Sequence, residues 1–176
     1  MSERTFDGRI GEGWSGTDPD GAHVNLVLAE RGSPTAAALL GTLTAPSPGH
    51  TPILVVVGED KDRYEPVWPP TIMINKATAL EERHQTITWG AGQLGIAQGV
   101  LDAVAEGLVP CSDEVLVFVA VYIDPAASDE TAVRRAARAA TVRAVRLAAR
   151  GRDPEAARAL VARRDEITSP FYGGAP

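Results

Sequence analysis

Few side chains in this sequence are suited to moving a proton, and the most suggestive stand in two short stretches. In "AHVNLVLAE", His23 and Asn25 alternate with Ala22, Val24 and Leu26, so a strand turns both polar groups to one face. In "TIMINKATA", Lys76 and Thr78 are again two residues apart inside an apolar run. Lys76 is one of two lysines in the chain, and the other, Lys61, sits in a charged loop. An ammonium group among isoleucine and methionine is costly to desolvate unless it has a partner or a task. Gln93 enters from "WGAGQLG", whose glycines let a backbone or a ligand come close. An imidazole titrating near neutrality can donate a proton and take it back, and a lysine can hold a ligand by charge. Taken alone, the same residues also fit plainer roles: a structural histidine, an edge-strand lysine and a helix-surface amide.

Other chemistries lack their signatures. The sequence holds no G-x-S-x-G, no phosphate-binding Walker loop, no H-E-x-x-H and no dinucleotide glycine fingerprint. His23, His50 and His84 are far apart, without metal-ligand spacing, and Cys111 is the only cysteine. No intrachain disulfide and no metal centre is therefore expected.

The elements that would position these groups follow from periodicity. Strands are predicted at 23–30, 51–58, 71–79 and 114–123, with an edge strand near 9–14. The run "EVLVFVAVYI" is apolar almost throughout, as a central strand covered on both faces requires. Helices are predicted at 33–44, 86–107, 129–149 and 153–163. Ser33 followed by Pro34 makes a good start for the first, and Ser128 is expected to cap the third. The Pro-rich segment 58–70, with Tyr64 and Trp68, reads as a long loop. Interleaved strands and helices with short connections predict an α+β fold, a single compact domain over residues 1–176.

Composition narrows the class. The chain has 176 residues, 44% hydrophobic, with net charge −6, enough to bury a core without staples. No apolar run reaches the ~20 residues that span a bilayer. The opening residues lack the basic start and apolar centre of a secretory leader, so no membrane and a cytoplasmic address are expected. Seven cations face 17 carboxylates up to residue 128, whereas ten arginines face six carboxylates beyond it. The arginine-rich helix is read as a solvated or subunit-bridging face, and nucleic acid is not expected as a partner.

Taken together, "IGEGWSG…GAHVNLVL", "GSPTAAALL", "GHTPILVVV", "TIMINKATA", "WGAGQLGIAQGVLDAVAEGLVP" and "VFVAVYIDP" resemble the formaldehyde-activating enzyme family, in one order from about Ile10 to Arg150. The closing "SPFYG" looks like that family's tail. The resemblance implies a hydro-lyase of one-carbon metabolism and formaldehyde detoxification. It would condense formaldehyde with tetrahydromethanopterin, a reduced pterin, to methylene-tetrahydromethanopterin and water. It also implies a fold like the second domain of ribosomal protein S5, ring-shaped homopentamers with the pterin between neighbours, and no metal. By position, the proton-donor histidine falls on His23. The pterin contacts fall on residue 25, Leu54, Lys76, Thr78 and Gln93.

One departure bears on the substrate. The family pattern has aspartate where this sequence has Asn25. An amide keeps the shape of a carboxylate but loses its charge, so charge-assisted bonds to a pterin N–H edge would be lost. The family's aromatic-rich late helix is replaced by "VRRAARAA", and a histidine common after the central strand is Asp124. A paralogue acting on or sensing another small carbonyl or amine is the alternative reading.

Overall fold

A computed structural model describes residues 6–170 and Gly173 of the chain. Phe171 and Tyr172 of the "SPFYG" tail lie outside the described residues. In chain order the elements are β1 (Arg9–Ser15), β2 (Ala22–Glu30), α1 (Pro34–Gly41), β3 (Ile53–Leu54), β4 (Val56–Gly58), β5 (Tyr64–Pro66), β6 (Thr71–Asn75), α2 (Glu82–Thr86), α3 (Gln93–Ala105), β7 (Val115–Ile123), α4 (Glu130–Arg150) and α5 (Pro154–Ala162). This is the α+β architecture expected, as a single compact domain.

Five strands form one sheet in the order β1-β2-β7-β6-β3. All its neighbours run antiparallel except β6 and β7, which are parallel. A parallel pair needs a crossover, and α2 and α3 provide it. Alternation decides which side chains go inside. Val24, Leu26 and Leu28 of β2 and Val117, Val119 and Val121 of β7 are buried in the main core. Slipping β2 by one residue would expose the first set and bury His23 and Asn25 in its place. Each large apolar side chain is worth about 1.5–3 kcal/mol buried, so the register is strongly specified.

Helices α3 and α4 cover that face. On α4, Val133, Ala136, Ala137, Ala140, Ala144, Val145 and Ala148 are buried at three- and four-residue steps. The alanines let the helix axis come close to the sheet. Opposite them β1 carries Gly11 and Gly13, where a Cβ would stand 2.0 Å from the Ala144 carbonyl oxygen and 2.2 Å from that of Ala140. No other residue type fits beneath the helix there. Two arginines of α4 turn to α3 and its C-terminal cap: Arg138 grips Asp102 through two bonds of 2.6 and 2.7 Å, and Arg146 meets Glu106 at 2.6 Å.

Some boundaries differ from those predicted. The long helix begins at Glu82, and its two α segments are joined by a wider π turn at Ile87–Gly92. Thr88, Trp89, Gly90 and Gly92 make that stretch a poor α-helix former. Asp129, not Ser128, caps α4, its carboxylate accepting from the Ala132 N–H at 3.0 Å. The segment 58–70 is not a bare loop, since β4 and β5 pair as a short hairpin. Strand β6 stops at Asn75, so Lys76 and Thr78 lie just past its end rather than within it.

Candidate active site

The second face of the sheet is only partly covered. α1 closes one end over Ala29, Ile72 and Leu116. The rest is open, and strand pairing arranges its side chains in rows. One row runs Trp14–His23–Tyr122 across β1, β2 and β7. The next runs Glu12–Asn25–Ala120–Ile74, reaching β6. Lys76 continues the first row on the far side, its N–H donating to the Val121 carbonyl at 2.7 Å.

From there the Lys76 side chain crosses β7 to reach β2. On β7 the residue in register with Asn25 is Ala120, which carries only a methyl group. Lys76 Nζ donates to Asn25 Oδ1 at 2.7 Å and to His23 Nδ1 at 3.0 Å. A lysine ammonium has donors and no acceptor, so both partners must accept. Nδ1 of His23 therefore carries the lone pair and Nε2 the hydrogen. Nε2 faces Glu12 Oε2 at 3.4 Å. The Trp14 ring lies beside the imidazole, with centroids 5.9 Å apart and planes tilted by 47°.

Together Trp14, Asp18, His23, Lys76, Tyr122 and Asp124 bound a hollow of about 340 Å³. Its electrostatics are mixed. Burial lowers the Lys76 ammonium from its ordinary value, and the charge of Glu12 opposes that shift. Burial, then the charge of Asp124 and a hydrogen bond to it at 3.3 Å, raise the Tyr122 hydroxyl. Tyr122 thus stays a neutral donor at physiological pH. Beside the hollow, a cleft of about 780 Å³ is floored by Ile10, Val27, Phe118 and Ala120, and it shares Glu12 and Asn25 with the site. Sizes of this order suit a small organic ligand.

The structure brings His23, Asn25 and Lys76 into direct contact. The other residues singled out in the sequence make different contacts. Thr78 donates to His50 Nε2 at 3.0 Å, while His50 Nδ1 donates to the Asn75 carbonyl at 2.9 Å. Gln93 accepts from the Val56 N–H at 3.4 Å and donates to the Trp89 carbonyl at 3.3 Å, which ties α3 to β4. Leu54, two residues before Val56, is 39% exposed on the edge strand β3. Among residues the sequence did not single out, Glu12, Trp14, Asp18 and Tyr122 line the hollow or touch His23, and His50 supports Thr78. The alternation of Ile10, Glu12 and Trp14 against Gly11 and Gly13 was the available signal for the β1 pair. His84 is buried and donates from Nε2 to the Ile123 carbonyl at 3.0 Å, a structural bond. Among the described residues, no group of three or more histidines, cysteines or carboxylates is placed to hold a metal ion, and no helix is long and apolar enough to cross a membrane.

Comparison with known proteins bears on what this hollow serves. The sequence profile of the formaldehyde-activating enzyme family (Fae) matches residues 10–172. The chain is 34% identical over 164 residues to the 5,6,7,8-tetrahydromethanopterin hydro-lyase of Methanosarcina barkeri, covering 92% of this chain and 89% of that protein. It is 33% identical over 144 residues to the bifunctional enzyme Fae/Hps of Methanothrix thermoacetophila, and 32% identical over 145 to that of Methanosarcina acetivorans. Those matches take in 81% of this chain but only 36% of each bifunctional protein.

Proposed function

The chain belongs to the formaldehyde-activating enzyme family, a hydro-lyase by type, and from that footing we propose that it condenses formaldehyde with tetrahydromethanopterin on the open face of its sheet. The observation that carries the reading is the 3.0 Å contact of Lys76 Nζ with His23 Nδ1 at the edge of a solvent-open hollow.

The reaction sets the requirements. A secondary amine adds to formaldehyde and gives a carbinolamine. Breaking its C–O bond needs a proton on the departing hydroxyl, which leaves as water and uncovers an iminium carbon. A second nitrogen closes on that carbon and releases a proton. His23 is the general acid for the first transfer and the acceptor for the last, help worth about 10²–10⁴-fold. Holding both nitrogens beside one small electrophile supplies further rate. Lys76 and Asn25 orient the pterin from the floor, and Trp14 and Phe118 offer flat apolar surface to a heterocycle. Leu54, Thr78 and Gln93 belong to the same proposed pterin site by their places in the family pattern. The proposal takes residues 1–176 as one domain, a homo-oligomer (a pentamer, by resemblance to the family) working in the cytoplasm without a metal.

A second reading rests on Asn25. Its amide oxygen is engaged by Lys76, which leaves its NH₂ as a donor to the cleft. A ligand presenting a carbonyl there is favoured over one presenting an N–H edge, as a paralogue acting on another small carbonyl or amine would need.

The purified protein, mixed with formaldehyde and tetrahydromethanopterin, is expected to form the methylene product well above the spontaneous rate. Acceleration with other small amines alone would support the second reading. No acceleration over the spontaneous reaction would remove the first.

A further inference from the structure

The reaction as written uses His23 but leaves open where its proton comes from and what holds the ring. Two charged groups flank the imidazole. The Lys76 ammonium stands at Nδ1 at 3.0 Å, and the Glu12 carboxylate at Nε2 at 3.4 Å. The remaining neighbours are accounted for. Trp14 packs on the ring, and Asn25 is bonded to Lys76. Tyr122 donates to Asp124, which also accepts from the Ala126 N–H at 2.8 Å. Asp18 lines the hollow and, with Asp124, acts on Tyr122 through its charge. Among the described residues, Glu12 is the carboxylate within ion-pair distance of His23.

Building on the proposed function, we infer that Lys76, His23 and Glu12 act as one proton-transfer unit, with Glu12 as its positioning residue. A neutral imidazole is a poor acid by itself. It becomes a good one when a proton arrives at Nδ1 as another leaves Nε2. In the step proposed, an Nζ–H bond of Lys76 breaks as Nδ1–H forms. The Nε2–H bond breaks as O–H forms on the carbinolamine hydroxyl. The C–O bond breaks with its electron pair going to oxygen, water departs, and the amine lone pair forms the C=N bond of the iminium. Lys76 is left neutral and His23 neutral in the opposite tautomer. When the second nitrogen closes the ring, its proton returns to Nε2 and the Nδ1 proton returns to Lys76. The half-buried setting of Lys76 suits a group that must give up its proton. Glu12 orients Nε2–H and balances the charge of the pair. At 3.4 Å the contact is longer than an ordinary hydrogen bond, so the proton remains free to move to a substrate oxygen.

Ring-nitrogen NMR on the full-length protein tests this directly. His50→Gln and His84→Gln variants assign the ring signals, and since His50 donates from Nδ1 and His84 from Nε2, the two rings give one internal standard of each tautomer. Resting His23 is expected in the Nε2–H form at neutral pH. Glu12→Gln should relax that preference and lower kcat about fivefold with KM unchanged, as expected for an exposed pair, and Glu12→Asp should restore part of both. Lys76→Met should abolish the preference and cost about 10²-fold in kcat. A resting Nδ1–H tautomer, or a Glu12→Gln protein matching the wild type in both tautomer and kcat, overturns the inference. Failure of the proposed function would look different: the wild type itself would not accelerate the condensation, whatever the tautomer of its ring.

Discussion

Strand β1 shows two opposite designs on its two sides. Toward α4 it offers Gly11 and Gly13, and the helix backbone comes so near that a methyl group has no room. Toward solvent it offers Ile10, Glu12 and Trp14, with Ile10 66% exposed. β2 repeats the division, with Val24, Leu26 and Leu28 buried on one side and His23 and Asn25 turned to the other. Close packing on one face holds the strands in a single register. That register is what brings Glu12 of β1, His23 of β2 and Lys76, just past β6, together on the other, at 3.4 and 3.0 Å from one to the next. The covered face therefore carries stability, and the open face is free to carry polar groups whose partners are one another.

The largest effect is expected where the covered face is disturbed. Gly13→Val pushes a branched side chain into the Ala140 carbonyl, and α4 must move off the sheet. The expected loss is about 3 kcal/mol, roughly 6–12 °C in Tm for a chain of this size, measured by thermal melting. A Tm within 2 °C of the wild type would show that α4 does not press on β1 as described.

A smaller effect is expected on the open face. Asn25→Asp places a carboxylate against the Lys76 ammonium, where it also offers charge-assisted acceptance to a ligand N–H. Affinity for the reduced pterin should rise about tenfold by titration, since such bonds are roughly twice as strong as neutral ones. Unchanged affinity and rate would show that residue 25 does not determine the ligand.

The smallest effect lies where the two faces are tied together. Asp20, in the turn between β1 and β2, accepts from the Ser128 and Asp129 N–H groups at 2.6 and 2.9 Å, at the start of α4. These bonds to its charged form hold its pKa below the ordinary 3.8. The folded protein thus binds this proton less readily than the unfolded chain. The stabilisation is complete above 3.8 and is withdrawn as pH falls through the lower folded value. Asp20→Asn should show a shallower fall in Tm on acidification. Parallel curves for the two proteins would remove Asp20 from the acid response.

Much of this division was legible in the sequence. Strand alternation in "AHVNLVLAE" and the apolar run of β7 gave the core face directly. The three- and four-residue spacing of alanines and valines outlined α4 to within a residue at each end. His23 and Lys76 stood out because a titratable group in an apolar strand context is uncommon and costly. Glu12 did not stand out, because a glutamate on an exposed strand face is ordinary. Its meaning comes from the pairing of Glu12 with Asn25 and of Trp14 with His23, which the turn between the strands sets. His50 was missed for the same reason: its bond to Thr78 spans 28 residues and depends on how the chain leaves β6. The end of β6 is marked by the Asn75 side chain, which donates to the Gly49 and Ala77 carbonyls, a contact no local pattern announces.

On the proposed function, His23 serves the reaction and not the fold. The direct test compares wild type and His23→Ala for formation of the methylene product and for Tm in the same buffer. The alanine variant is expected to be slower by about 10²–10⁴-fold, with Tm changed by no more than a few degrees. An alanine variant that condenses formaldehyde and tetrahydromethanopterin as fast as the wild type would contradict it.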